Sequence, residues 1–292
     1  MNSIKNLLPL VLIVVIGCQE IKDQAQGTTN KKSQNNNSEL AITANRVSAT
    51  TSNFVCPPCG CSYDDSVYHQ TGTCPGCGMG LVNKSKRINV ALFVFDGMEI
   101  LDFAGPAEVF ASATSPEGWF HIYTVAVSSE PVLSQGFVSI TPQYTLQNAP
   151  PADVVVLPGG GVGESVSDTA VINWVKKASR SWQVGLSVCN GAFIMAETGL
   201  LSGKHATTFH GLIDQFEDNY PDINVLRETR YVDNGDIVTT AGVSAGIDGS
   251  LHVVSKILGK EAAKSTVEYM EYDGWVPDNG LIIASGVENN QK

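Results

Sequence analysis

The sequence predicts an α/β fold: a flavodoxin-like three-layer sandwich with a mostly parallel sheet, preceded by a small Cys-rich, zinc-ribbon-like module. Apolar runs such as 89–95 and 153–157 are continuous, which is typical of strands that are buried on both faces. Helical segments alternate with these runs, as they do in parallel sheets covered by helices on both sides. Upstream, five cysteines fall within residues 54–83, and closely spaced cysteines of this kind indicate a metal-binding module.

Composition limits the function classes. The chain has 292 residues, of which 43% are apolar, so it can bury a sizeable core and form about two domains. A disordered or fibrous protein is therefore excluded. Residues 88–292 contain 10 basic and 24 acidic residues, against a formal charge of −11 for the whole chain. Because such a surface repels phosphate backbones, nucleic acid is not expected as a partner.

The first 18 residues have the features of an export signal. Lys5 precedes an apolar run, 7–16, which is too short to cross a bilayer and has the usual length of a signal h-region. Gly17 and Cys18 end the run, and this end resembles the bacterial lipoprotein signal. The resemblance implies lipidation of Cys18, a membrane anchor and a location in the cell envelope, facing the extracytoplasmic side. The alternative is an ordinary secretory signal with an incidental cysteine.

Residues 19–53 are rich in Asn, Gln, Ser, Thr and Lys and show almost no apolar periodicity. A segment of this composition cannot bury enough apolar surface to fold alone. We predict a flexible linker that holds the folded parts away from the membrane surface.

Two cysteine knuckles dominate residues 54–83. Fourteen residues separate Cys59 from Cys74, which is close to the spacing of a zinc ribbon. About 30 residues cannot build a core, so a metal ion would supply the folding energy. We predict zinc or another soft metal ion, copper included, as the cofactor of this module. The predicted ligands are Cys56, Cys59, Cys74 and Cys77, with Cys61 as an alternative to Cys59.

Two other interpretations of the module stay open at this stage. In an oxidising compartment the thiols could form disulfides, although five cysteines cannot all pair with one another. His69 is either a further ligand or an ordinary loop residue. Residues 74–82 also resemble the heavy-metal-binding module of exported metal-efflux proteins, whereas the first knuckle departs from that pattern. The module is expected to be structural or metal-sensing.

The α/β domain is expected to span residues 88–270, with a tail at 271–292. Asp168 precedes a predicted helix as its cap, and Gly259 ends the last one. In chain order, the predicted strands are 89–95, 119–127, 153–157 and 183–188, and the predicted helices are 102–113, 168–180 and 244–258.

Cys189 is the candidate nucleophile. It stands between a predicted strand and the helix-forming run 192–196, in the sequence Val-Cys-Asn-Gly-Ala. Small residues around such a tight turn are the pattern of a nucleophile elbow. A thiol there lies at a helix N-terminus, which favours the thiolate. The alternative is an inert, buried cysteine.

Residues 88–259 resemble the ThiJ/PfpI superfamily, which has the class I glutamine amidotransferase-like fold. The resemblance is strongest to the branch that contains isonitrile hydratases and the ligand domains of AraC-type regulators. The matching segments are 95–110, 156–160, 188–192, 203–208 and 240–248.

The resemblance implies roles for individual residues. Asp102 matches the acidic residue that approaches the elbow cysteine and can take or return a proton, although a helix N-cap is its alternative role. The backbone N–H groups of Gly159, Gly160 and Asn190 would form an anion hole. Asn190 also occupies the position where the superfamily's proteases have His, so peptidase activity is not expected. His210 lies one position after the usual His, and no role is assigned to it.

Two functions follow from the resemblance. The first is an isonitrile hydratase-like reaction, in which Cys189 attacks a small electrophilic carbon, Asp102 supplies a proton and water completes the conversion. The second is a non-catalytic module that senses a small molecule, redox state or metal stress. An AraC-type regulator is not expected, because 33 residues after Gly259 are too few for two helix-turn-helix units. The resemblance also allows a homodimer.

Overall fold

The computed structural model describes residues 52–283 except 58, 65 and 278. The predicted signal, its Cys18 and nearly all of the predicted linker lie outside the described residues. Within the described part, no helix combines the length and apolar character needed to cross a bilayer.

The cysteine module forms a small antiparallel sheet. Its three strands are β1 (Phe54–Val55), β2 (Val67–Tyr68) and β3 (Val82–Asn83), in the order β2-β1-β3. A 3-10 helix, Lys84–Lys86, connects the module to the α/β domain. Three two-residue strands contain too few apolar residues to stabilise an independent fold.

The α/β domain contains the remaining elements. Its strands are β4 (Arg87–Phe93), β5 (Thr114–Ser115), β6 (Gly118–Ala126), β7 (Val132–Ser134), β8 (Val138–Ile140), β9 (Tyr144–Thr145), β10 (Val154–Leu157), β11 (Val184–Ser187), β12 (His205–Ala206), β13 (Asn224–Val225), β14 (Tyr231–Asp233), β15 (Ile237–Thr240) and β16 (Leu281–Ile282). Its helices are α1 (Ile100–Ser112), α2 (Gly163–Ser167), α3 (Thr169–Ala178), α4 (Gly191–Glu197), α5 (Ile213–Asn219), α6 (Ala245–Leu258) and α7 (Lys260–Tyr269), with a further 3-10 helix at His210–Leu212.

A nine-stranded sheet forms the middle layer. Its order is β16-β14-β15-β11-β10-β4-β6-β5, and β9 pairs with β6. Only the pairs β14–β15 and β5–β6 are antiparallel in this described sheet, so the prediction of a mostly parallel sheet is confirmed. In the central order β6-β4-β10-β11-β15, later strands are added on one side of β4 first and then on the other, so the direction of strand order changes between β4 and β10. Ligands of such sheets bind beyond the carboxyl ends of the strands at this point.

Helices cover both faces of the sheet. On one face, α1, α6 and α7 pack together over a core that includes Phe110 and Leu251. On the other face, α2, α3 and α4 pack over a second core that includes Val171 and Met195. The predicted three-layer sandwich is therefore confirmed.

The helix ends show where the sequence predictions were wrong. Helix α1 begins two residues before Asp102 and its N-cap is Glu99, so the N-cap role for Asp102 is wrong. Helix α7 was not predicted. It buries only Ala262, Ala263 and Thr266, and such small residues give a weak hydrophobic pattern. The cap of α3 is confirmed, because the Asp168 carboxylate accepts from the Ala170 N–H at 2.7 Å.

Trp119 joins the cysteine module to the α/β domain. Its side chain packs with Val55 and Val82, and its Nε1–H donates to the Asn83 carbonyl at 2.9 Å. Trp119 pairs in register with Arg87 at the start of β4, so the module lies at the amino end of the parallel strands. Strand rise places the two ends of β4 about 20 Å apart.

Candidate functional site

Cys189 occupies a strained turn directly after β11. Its φ is +58°, a left-handed conformation that is uncommon for residues other than glycine. Gly191 opens helix α4, and a Cβ at this glycine would lie 2.0 Å from the Leu157 carbonyl oxygen. The close approach of strand and helix therefore requires glycine there, as the elbow pattern predicts.

Asp102 is the acidic partner of Cys189. It is fully buried on the first turn of α1, and its Oδ2 accepts from the Gly159 N–H at 2.9 Å. Burial raises the pKa of Asp102 to about 7, and the nearby Cys189 thiol is among the groups that oppose this rise. A carboxyl with this pKa can both donate and accept a proton near neutrality.

Burial also raises the pKa of the Cys189 thiol, to about 12, and the Asp102 charge acts in the same direction. The Asn190 and Val243 N–H groups oppose this rise. The sequence argument predicted a lowered pKa because it considered only the helix N-terminus. Since both groups are buried together, they share one proton over a wide pH range and titrate as a pair.

The glycine N–H groups differ from the predicted anion hole. Gly159 N–H donates to Asp102, as described above, and Gly160 N–H donates to the Asn190 Oδ1 at 2.7 Å. The Asn190 Nδ2 donates back to the Gly160 carbonyl at 2.8 Å. Both glycine N–H groups thus have side-chain partners, whereas the Asn190 and Val243 N–H groups act to lower the pKa of the Cys189 thiol.

Two residues near the elbow were not assigned roles from the sequence. The Thr208 hydroxyl donates to the Cys189 carbonyl at 2.9 Å and so supports the turn. Val243 has a φ of +53°, and its N–H acts to lower the pKa of both Asp102 and Cys189. Both residues lie in segments that match the superfamily pattern. That pattern identifies side chains, and it does not show which backbone N–H groups act at the site.

His210 lies in a different environment. Its ring packs against Phe209 at 4.4 Å between centroids, and it lines a cavity of about 460 Å³ together with Thr208 and two arginines, Arg227 and Arg230. Among the described residues, no hydrogen bond connects His210 to Cys189. A second cavity, of about 420 Å³, borders Gly160 and Asn190, and its lining includes both apolar side chains such as Phe193 and polar ones such as Glu197.

Four cysteines of the module form a thiol cluster. The Sγ atoms of Cys56, Cys59, Cys61 and Cys77 all lie within 4.8 Å of one another. The Cys56 Sγ is 3.8 Å from that of Cys59, 4.0 Å from that of Cys61 and 3.4 Å from that of Cys77. Zinc–sulfur bonds of about 2.3 Å in a tetrahedron separate the sulfurs by about 3.8 Å. The thiol cluster can therefore hold a metal ion of this kind.

The fifth thiol is adjacent to this cluster. The Cys74 Sγ is 3.7 Å from that of Cys61. The four mutually close sulfurs of the thiol cluster therefore include that of Cys61, whereas the four predicted ligands included Cys74. All six cysteines in the described part of the chain are free, including Cys189. His69 instead contacts Asn53, with 3.1 Å between Nδ1 and Oδ1, and stands outside the mutually close set.

Asp64 closes the first knuckle. Its Oδ2 accepts from the Gly60 N–H at 2.6 Å, and its Oδ1 lies 3.2 Å from the Cys59 Sγ and 3.4 Å from the Cys61 Sγ. Because the Cys59 N–H also donates to its Oδ2, at 3.2 Å, the Asp64 carboxylate fixes the backbone of this turn.

Comparison with known proteins agrees with this geometry. The model of the DJ-1/PfpI family matches residues 88–256. Isonitrile hydratase of Pseudomonas putida is 28% identical over 187 residues, which cover 63% of this chain and 78% of that enzyme. The HTH-type transcriptional regulator CdhR of Pseudomonas aeruginosa is 27% identical over 146 residues, 50% of this chain and 43% of the regulator.

Solved structures show the same fold. A ThiJ/PfpI family protein from Pseudomonas syringae is 29% identical, with a TM-score of 0.59 over 69% of this chain and 79% of that one. Drosophila melanogaster DJ-1beta is 20% identical, with a TM-score of 0.56 over 63% of this chain and 98% of that one. At this lower identity the second comparison supports the fold alone.

Proposed function

The chain belongs to the DJ-1/PfpI family, and from this membership and the Cys189–Asp102 geometry we propose that it is a cysteine-dependent hydratase for a small electrophilic carbon, such as that of an isonitrile. The observation that supports this most directly is a fully buried carboxyl, with its pKa raised to about 7, beside an elbow thiol. The similarity to an isonitrile hydratase over most of that enzyme's length supports the substrate class.

The proposed reaction begins with proton transfer from the Cys189 thiol to the Asp102 carboxylate. The thiolate attacks the terminal isonitrile carbon, and Asp102 returns the proton to that carbon, which gives a thioimidate. Asp102 then takes a proton from water as the hydroxide adds to the same carbon. Asp102 gives this proton to the nitrogen. The carbon–sulfur bond then breaks as the proton of the added hydroxyl passes to the sulfur, so the products are an N-substituted formamide and the free thiol.

Substitution of the pair tests this proposal. Cys189→Ser should abolish formamide production from an isonitrile, and Asp102→Asn should reduce it by about 100-fold or more. Asp218→Asn makes the same chemical change at an exposed carboxylate and should leave turnover unchanged. Unchanged turnover in either pair variant would remove that residue's role.

A sensing function of the same domain is the second candidate. The burial that raises the pKa of the Cys189 thiol supports it, and so does the similarity to a transcriptional regulator. In this case no isonitrile would be turned over by the wild-type protein, although ligand binding or oxidation at Cys189 would still be measurable by mass spectrometry.

The module has a separate proposed role as a binding site for one soft metal ion, with zinc favoured. The sulfur spacing of the thiol cluster supports this proposal. Elemental analysis of protein purified under reducing conditions should find about one metal ion per chain. Metal-free protein with paired thiols would contradict it.

Export and lipidation are proposed from the sequence pattern alone. The wild-type protein should fractionate with membranes and carry an acylated Cys18, whereas Cys18→Ala should release it. A homodimer, proposed from the family, would be detected by light scattering during size-exclusion chromatography.

A further inference from the structure

The Asn190 side chain is bound to one residue, Gly160. Its Oδ1 accepts from the Gly160 N–H at 2.7 Å, and its Nδ2 donates to the Gly160 carbonyl at 2.8 Å. Asn190 is the N-cap residue of α4, yet its side chain makes no capping hydrogen bond there. Both polar atoms of the amide are thus directed at the loop that follows β10, and its own helix does not need them.

Gly160 is also held from its other side. It forms a β-bridge with Met98, and the Glu99 N–H donates to the Gly159 carbonyl at 3.0 Å. The φ of Gly160 is +110°, and a Cβ at this position would lie 2.4 Å from the Glu99 nitrogen, so the close contact requires glycine. These contacts fix the Gly160 N–H independently of Asn190.

The loop lies against the nucleophile elbow. A Cβ at Gly159 would lie 2.8 Å from the Cys189 Cβ and 2.3 Å from the Asn190 Oδ1. The Asn190 oxygen is therefore close to Cys189 and lies 2.7 Å from the Gly160 nitrogen, which is a distance at which anion-hole donors hold an oxyanion. The Gly159 N–H donates to Asp102. Side-chain oxygens thus occupy both glycine donors of the predicted hole.

We propose that the Asn190 side chain is a specificity-determining group, whose Oδ1 occupies the Gly160 N–H and closes the anion hole to acyl substrates. Attack of a thiolate on an ester or amide places negative charge on the carbonyl oxygen. Loss of one donor to this charge slows acyl transfer by about 100-fold or more. The closed hole therefore selects against acyl transfer at Cys189.

Addition to an isonitrile does not need this donor. Asp102 protonates the attacked carbon, and the oxygen enters later from water as a hydroxyl, so no carbonyl oxyanion forms in the proposed reaction. The closed hole is thus compatible with hydration while it disfavours ester and amide cleavage. This part of the inference rests on the proposed hydratase function, whereas the closure of the hole does not.

Opening the hole in the full chain tests the inference. Asn190→Ala removes the side-chain oxygen, and alanine also adopts the φ of −77° found at this position. Cys189 is acetylated with p-nitrophenyl acetate, in which the sulfur–carbon bond forms through an oxyanion and p-nitrophenolate leaves. In parallel it is alkylated with 4-nitrobenzyl bromide, a reagent of similar size from which bromide leaves without any oxyanion.

Both products are measured by mass spectrometry on the tryptic peptide 181–204, which contains one cysteine. Both reactions need the thiolate and access to it, so the ratio of the acetylation rate to the alkylation rate reports the anion hole. The ratio should rise about tenfold in Asn190→Ala, because water competes for the freed donor. An unchanged ratio would overturn the proposal.

Two further variants separate closure of the hole from packing. Asn190→Asp keeps the size and an oxygen that accepts from the Gly160 N–H, so its ratio should not exceed that of wild type. A rise equal to that in Asn190→Ala would overturn the proposal. Asn219→Ala is the matched control, since Asn219 lines the same 420 Å³ cavity from α5, and it should leave the ratio unchanged.

Asn190→Ser covers the case in which the alanine variant does not fold. Serine is favoured at helix N-caps, and its hydroxyl is too short to replace the Asn190 Oδ1 at Gly160. The ratio should therefore rise as in Asn190→Ala, and an unchanged ratio would again overturn the proposal. Because neither labelling reaction needs turnover, absence of isonitrile hydration would count against the hydratase function and leave the closed hole standing.

Discussion

The two cysteine sites of this protein use the same side chain in opposite settings. In the module, five thiols lie side by side in a segment with almost no core, at the amino end of the sheet. In the α/β domain, one thiol that is 6% exposed lies beside a buried carboxyl at the carboxyl end. We propose that the first arrangement depends on a bound metal ion for its stability, whereas in the second the fold itself keeps the Asp102 carboxyl away from water.

Metal removal should produce the largest effect and should be confined to one site. Structural zinc in small modules contributes about 10 kcal/mol or more of binding free energy, so a chelator should unfold residues 54–83. Hydrogen exchange should show loss of protection in the module while the strands around Cys189 stay protected. Cys189→Ser is the matched control and should bind the same amount of metal. Loss of protection throughout the chain would show that the two sites are not separable.

Asp102→Asn should stabilise the fold, and more at high pH. Because the folded pKa, about 7, exceeds the unfolded value of 3.8, stability is fully present below 3.8 and is lost as pH rises to about 7. The neutral amide avoids this loss, which amounts to about 4 kcal/mol at pH 8 and about 1.5 kcal/mol at pH 5. Urea unfolding at both pH values measures the difference, with Asp218→Asn as the control. Equal effects at the two pH values would contradict the raised pKa.

Labelling of Cys189 should show that the thiol and the carboxyl titrate together. In wild-type protein the rate should rise through about pH 7, where the pair loses its first proton, and not reach its maximum until about pH 12. Asp102→Asn should show a single rise that reaches its maximum at lower pH than in wild-type protein, because the thiol no longer experiences the Asp102 charge that raises its pKa. An unchanged profile would mean that the two groups titrate independently.

Trp119→Phe should have the smallest effect and tests the connection between the two regions. The ring still packs against Val55 and Val82, but the Asn83 carbonyl loses its donor. An unmade hydrogen bond of this kind costs about 1 kcal/mol, so the module should exchange its amide hydrogens several-fold faster. The labelling profile of Cys189 should not change, because the module lies at the other end of the strands.

Much of the fold was predictable because burial on both faces leaves a clear sequence pattern. Strands β4, β10 and β11 appear as apolar runs, and Asp168 and Gly259 mark helix ends by their own chemistry. Helix α7 was not predictable by the same reasoning, since its buried face consists of alanine and threonine.

The candidate site was predictable in its side chains and not in its backbone donors. Cys189 follows from a local pattern, and Asp102 follows from the family resemblance. The partners of the Gly159 and Gly160 N–H groups depend on where α1 and Asn190 meet the strand ends, which is a property of the tertiary structure. Burial of the thiol is equally non-local, and for this reason the expected direction of its pKa was wrong.

Strand β16 limits how far the chain can be shortened. It lies parallel to β14, and the Ile283 N–H donates to the Asp233 carbonyl at 2.8 Å. A chain cut at residue 270, the predicted domain boundary, would leave β14 as an uncovered sheet edge of unpaired backbone groups. Such edges recruit other chains by strand addition and promote aggregation. Shortened forms of this protein should therefore retain the residues up to 283.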